Sequence, residues 1–207
     1  MRIVFAGILA LFVAGTVVAI DTDFVPYDQI KGQHWDFQFE FKTPKRVVIT
    51  ETDGTERAFW TVVYTVTNPD KVARDFQPAA ILFTDTGRVV LDNLYPAVVE
   101  KVKADYRLDE LANTVQMTGP LKAGQDEARD GIFVFEEVDP RMDQFTLFIA
   151  GLSGEFVIKT IPAAKAGEEA MNVVLRKTMQ LVFKFPGDDT NLNQDKVHFA
   201  GQKWIWR

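Results

Sequence analysis

Residues 59–67, FWTVVYTVT, carry the plainest pattern in the chain. Trp60, Val62, Tyr64 and Val66 fall on one side of an extended strand, and Thr61, Val63, Thr65 and Thr67 fall on the other. This period of two marks a strand with one face in a core, and Asn68-Pro69-Asp70 stops it. HWDFQFEFK repeats the motif: Trp35, Phe37, Phe39 and Phe41 alternate with His34, Asp36, Gln38, Glu40 and Lys42. Four aromatics on one face predict a single buried strand across 35–41, with Phe39 fully inside.

Further strands are expected at 46–50, 131–137, 144–152 and 173–186, the last being the longest, with a final one in KVHFAGQKWIWR. Thr52-Asp53-Gly54 supplies a turn between 46–50 and 57–67. Asp85-Thr86-Gly87 closes a second hairpin between 80–84 and 88–91, with glycine at the left-handed position. Between Tyr95 and Ala112 the period changes. Pro96 suits a first helical turn, and Val98, Val99, Val102 and Tyr106 approximate helical spacing, so one inserted helix is expected at about 95–112. Residues 161–170 read as a loop. Many short strands, Gly, Asp and Pro turns and one helix predict an all-β fold, an antiparallel β-sandwich.

The first twenty residues read separately. Arg2 is followed by an uncharged run from Ile3 to Val18, and Val17 and Ala19 occupy the −3 and −1 positions of a small-residue cleavage site. That layout predicts a signal peptide over 1–19 and a mature domain over 24–207. The alternative is an uncleaved anchor, in which residues 3–20 remain in a membrane. Export to a periplasmic or extracellular space is the expectation in either case.

Composition narrows the classes. The 207 residues carry a formal charge of −6 and no basic run longer than Lys45-Arg46, so nucleic acid is not an expected partner. With 47% apolar residues the chain can build a core. There is no cysteine, which removes disulfides, thiol catalysis and Cys-ligated metal.

YTVTNPD, ILFTDTGRVV, and Leu121, Gly124, Gly131, Phe133 and Phe135 in LKAGQDEARDGIFVF together resemble the immunoglobulin-like domains of exported bacterial accessory proteins. AGLSGE, LRKT, PGD and WIWR are similar to closing elements of uncharacterised secreted proteins of planctomycete-type bacteria. These matches span most of residues 35–207. The resemblance implies an immunoglobulin-like fold and an exported location without supplying an activity. The helix at 95–112 departs from a minimal domain of that kind.

Candidate chemistry is sparse. Ser153 is the only serine. GLSGE places Glu155 where a nucleophile elbow needs its second glycine, so a turn is the better reading. His34 shares the polar face with Asp36 and Glu40, and His198 is equally suited to an exposed site, which argues against a shared metal. Asp189, Asn191, Asn193 and Asp195 have the alternate spacing of a calcium loop. Gln194 replaces its turn glycine and Ala200 its bidentate glutamate, so a polar loop over 188–195 is preferred. Glu136, Glu137, Asp139, Glu168 and Glu169 give no spacing that defines a catalytic pair. Catalytic residues, cofactors and metals are therefore expected to be none.

Trp204 and Trp206 share a face of the last strand, ahead of Arg207. Buried, they close the sandwich, the commoner fate; exposed, they and Arg207 form a contact for a partner or glycan. The expectation is a non-enzymatic interaction or structural module of the cell envelope, with an envelope protein or glycan as partner. The alternative is a carbohydrate-binding or glycan-processing accessory that uses Trp204 and Trp206.

Overall fold

A computed structural model of the protein describes residues 25–163, 169–185 and 197–207. The candidate signal segment and the 188–195 loop lie outside these residues. Among the described residues the chain is mostly β, built from antiparallel sheets packed together as a β-sandwich. Its elements are β1 (Lys31–Asp36), β2 (Gln38–Phe41), β3 (Lys45–Thr50), β4 (Glu56–Thr67), β5 (Arg74–Phe76), β6 (Ala79–Thr84) and β7 (Val89–Leu91). Helix α1 (Pro96–Tyr106), β8 (Ala112–Asn113), α2 (Thr114–Met117) and β9 (Gly119–Leu121) follow. The chain continues with β10 (Arg129–Glu136), β11 (Gln144–Ala150), β12 (Ser153–Ile161), β13 (Met171–Lys184) and β14 (His198–Trp206).

The large sheet runs β1-β12-β13-β11-β6-β7, with β14 on the free side of β13; the small sheet runs β2-β4-β10-β8, with β3 also on β4. Alternation places Trp60, Val62, Tyr64 and Val66 of β4 inward, each at most 1% exposed. They meet Leu82, Phe145, Leu147, Ile149, Leu181 and Phe183 of the large sheet in the main core. Tyr64 lies directly opposite Gly131 and stacks on Phe133 at 4.5 Å. A Cβ at position 131 would come within 2.4 Å of Tyr64 Cζ. Glycine there is a seat for the tyrosine ring.

The other face of β4 is also buried. Phe59 and Val63, with Val47, Ile132 and Val134, form a second core under Val98, Val99 and Val102 of α1. Pro96 starts that helix, and Arg107 ends it in the left-handed conformation at φ 55°, its N–H donating to the Lys103 carbonyl. The expected helix over 95–112 is thus shorter, and 108–111 does not continue it. The left-handed residue turns the chain away into β8.

The single strand expected over 35–41 is two strands in different sheets. β1 pairs with β12 and β2 with β4, and between them the Phe37 N–H donates to the Leu152 carbonyl. Phe37 is buried, but Phe39 is only half-buried, against Tyr64 at 5.0 Å. Phe39 lies on β2, at the margin of the small sheet, so one side of its ring reaches solvent. Both expected hairpins form, with Gly54 at φ 86° and Gly87 at φ 88°.

Candidate binding site at the C-terminal strand

β14 lies along β13 with Trp204 opposite Met179 and Trp206 opposite Lys177. The tryptophans share a face, as alternation predicts, and it is the inward face. Yet neither joins the core: Trp204 is 37% exposed and Trp206 half-buried. The expectation that both pack inside the sandwich is corrected here. β2 covers only the start of β14, through Phe41 against Phe199 at 5.4 Å. Farther along, the inner face of the large sheet continues past the edge of the small one.

What occupies that uncovered margin is an ionic cluster drawn from three strands, beside the Trp204 ring of a fourth. Lys177 Nζ sits 4.9 Å from the centre of the Trp204 ring. It donates to Asp36 Oδ1 and Oδ2 at 3.0 and 2.7 Å and pairs with Glu155 Oε2 at 2.9 Å. His34 Nδ1 lies 2.7 Å from Glu155 Oε1, and Tyr27 stacks on the His34 ring at 5.0 Å. A register shift in β1 between Gly32 and Asp36 accompanies this arrangement. Burial pushes the Glu155 carboxyl up, but hydrogen bonds from His34 and Lys177 outweigh it and hold the group below the usual range. Burial likewise pulls Lys177 down, and its bonds to Asp36 and Glu155 outweigh that and raise it. Both groups are fixed in their charged forms, away from the near-neutral pKa that proton transfer requires. The cluster is suited to binding: an indole face beside fixed hydrogen-bonding groups.

The remaining candidates fall elsewhere. Arg207 pairs with Arg176 on the opposite face of the sheet, its guanidinium 4.3 Å from the Phe148 ring, and burial lowers its pKa. The structure therefore separates Arg207 from the two tryptophans. Ser153 Oγ accepts the Glu155 N–H at 3.1 Å just after Gly151 at φ 88°, the turn expected of GLSGE. His198 pairs with Lys184, at the other end of β14 from the cluster that holds His34. Among the described residues no group of three or more His, Cys, Asp or Glu side chains is placed to hold a metal. The calcium-like residues Asp189, Asn191, Asn193 and Asp195 lie outside the described residues.

The acidic run after β10 is structural. Glu137 takes a two-pronged contact from Arg46 at 2.8 and 2.7 Å, and Glu136 pairs with Arg57 at 2.8 Å. Asp139 accepts from the Thr86 hydroxyl at 2.5 Å, which holds its carboxyl low. A shallow depression of about 330 Å³ is lined by Gln33, Trp35, Ala73, Arg74, Asp75 and Pro120. Its one arginine, Arg74, is already engaged by Asp70 at 2.9 and 2.6 Å and by Gln33 at 2.6 Å.

β14 is also an edge. Arg207 and Arg176 exchange both backbone hydrogen bonds, so alternation turns the N–H and C=O groups of Gln202 and Trp204 away from β13. No described strand pairs with that side. An open edge beside a half-exposed tryptophan is a form that accepts another chain.

Sequence reading put Trp204 and Trp206 on one face of the last strand but missed Lys177, Glu155 and Asp36 as the surroundings of Trp204. Polar alternation flagged His34 and Asp36 as solvent-facing; nothing local signalled their partners. Comparison with protein-family models, with curated proteins and with solved structures finds no match to this chain.

Proposed function

We propose that this chain is a non-enzymatic interaction module of the cell envelope, an immunoglobulin-like sandwich exported behind the segment at 1–19. The observation that carries the reading is the terminal strand, a sheet edge free of described partners that bears the half-exposed Trp204. Two features add support. Ser153 is engaged in a turn, and Glu136 and Glu137 in arginine contacts. Glu155 and Lys177 are held firmly charged.

A second reading, a glycan-binding accessory, is favoured by one specific arrangement. The Trp204 ring stands beside Lys177 with Asp36, Glu155 and His34 within one hydrogen-bonded cluster. An aromatic platform next to fixed polar groups is what a sugar ring and its hydroxyls require.

Photo-crosslinking in the native host separates these readings. A benzoylphenylalanine at position 204 is expected to capture a defined envelope protein, while the same group at the exposed Lys101 of α1 captures none. Retention on purified cell-wall polysaccharide that is lost in Trp204→Ala would favour the glycan reading. Capture at neither position, with no polysaccharide retention, would refute both.

A further inference from the structure

The two outer faces of the sandwich differ. α1 covers the small sheet, burying Val98, Val99 and Val102. No described element lies over the large sheet. Cross-strand pairing puts Leu91 beside Ile81 and Val89 beside Phe83, then Ile81 beside Phe148, all pointing outward. Leu91 is 63% exposed, Val89 57% and Phe83 39%. Ile205, opposite Thr178, extends this apolar surface to β14.

The same face carries cations at its other margin. Arg176, Lys184, Lys203 and Arg207 all point outward, as their pairings with Phe156, Gln144, Gln180 and Arg176 require. All four are exposed, and none makes an ion pair with a described residue. The outward positions of β6, β7, β11, β12, β13 and β14 include no aspartate or glutamate. In a chain of 29 acidic and 23 basic residues, that segregation gives this face a charge opposite to the whole.

We infer that the outer face of the large sheet docks on an anionic lipid surface. The inference rests on the envelope reading above and names a contact separate from Trp204. Charge decides the occupant: a second copy would bring like-charged rims together, whereas lipid phosphates match them. Long Lys and Arg stems let the charges reach headgroups while Phe83, Val89 and Leu91 meet the acyl boundary. The sheet's own ladders satisfy its backbone polar groups, so this face can leave water without orphaned donors.

Sedimentation of the full chain with vesicles tests this. Equimolar phosphatidylglycerol–phosphatidylcholine vesicles are compared with phosphatidylcholine alone, so that any pull from the apolar run at 3–18 cancels. Binding is expected to favour the anionic vesicles and to weaken with salt. Lys203→Glu/Arg207→Glu should lower it by about tenfold or more. Phe83→Gln/Leu91→Gln, which keeps every charge, should also lower it, with unchanged thermal midpoints in both variants. Trp204→Ala should leave vesicle binding intact. Equal binding to both vesicle types, no binding at all, or indifference to the charge reversal overturns the inference. Capture of an acidic envelope protein by this face in place of vesicles would overturn it as well. If only the position-204 crosslink survives, the module reading stands and the lipid surface falls.

Discussion

Replacing Asp92 with asparagine offers a sharp test of the packing between the sheets and their covering elements. Asp92 follows β7, where one carboxylate oxygen accepts the Val134 N–H at 2.6 Å and the other accepts the Thr114 hydroxyl. Burial raises this carboxyl from 3.8 to about 6, against the opposing effect of those two hydrogen bonds. Each unit corresponds to about 1.4 kcal/mol, so the charged form is disfavoured in the folded state by about 3 kcal/mol. The sign follows from proton binding. The folded state holds a proton at pH values where the unfolded chain has lost it, so this contribution is fully present below about pH 4 and lost as pH rises through about 6. An asparagine keeps an acceptor for Val134 and offers an N–H to Thr114 without the charge. Asp92→Asn is therefore expected to be more stable than the parent by about 1–3 kcal/mol at pH 7.5, with the advantage vanishing near pH 4. Urea denaturation followed by tryptophan fluorescence across that range measures the difference. A pH-independent difference, or a variant less stable at pH 7.5, would show that Asp92 is not held in the environment described.

Other outcomes are as direct. The Tyr64 hydroxyl is buried with no partner among the described residues, so Tyr64→Phe should raise unfolding free energy by about 1 kcal/mol in the same assay. A loss would mean the hydroxyl is satisfied. Truncation after Gln202 removes the pairings from Gln180 to Arg176 on β13 and bares a new edge. It should destabilise the protein by about 3 kcal/mol or more, or render it insoluble; an unchanged thermal midpoint would count against the pairing. N-terminal sequencing of protein from its native host should begin at Ile20, and retention of Met1 on membrane material would instead make the segment an anchor.

How far the sequence could be read depended on the range of the interactions involved. Alternation revealed the inward face of β4 and both hairpins because strand period and turn glycines are local. It failed at Phe37, where the chain passes from one sheet to the other. β1 and β2 keep a common period, so the change of partner leaves no mark on the pattern. Periodicity also put Trp204 and Trp206 on one shared face without revealing that this face points inward and outruns the opposite sheet. Coverage is a tertiary property, set by where β2 ends and not by β14. The ionic cluster was the least legible: Asp36 meets Lys177 from 141 residues away, and His34 meets Glu155 from 121. Such separations are fixed only by strand order. The bare, carboxylate-free outer face was equally hidden, because it assembles side chains from strands scattered between residues 79 and 207.

The central claim is that Trp204 serves recognition more than folding. Retention of wild type and Trp204→Ala on native envelope fractions, measured beside their thermal midpoints, tests it most directly. The substitution trims a side chain already 37% exposed, so the midpoint should shift by no more than a few degrees, corresponding to about 1 kcal/mol. Retention should fall by about tenfold or more, the loss expected of an aromatic anchor. Undiminished retention with an intact fold would contradict the claim.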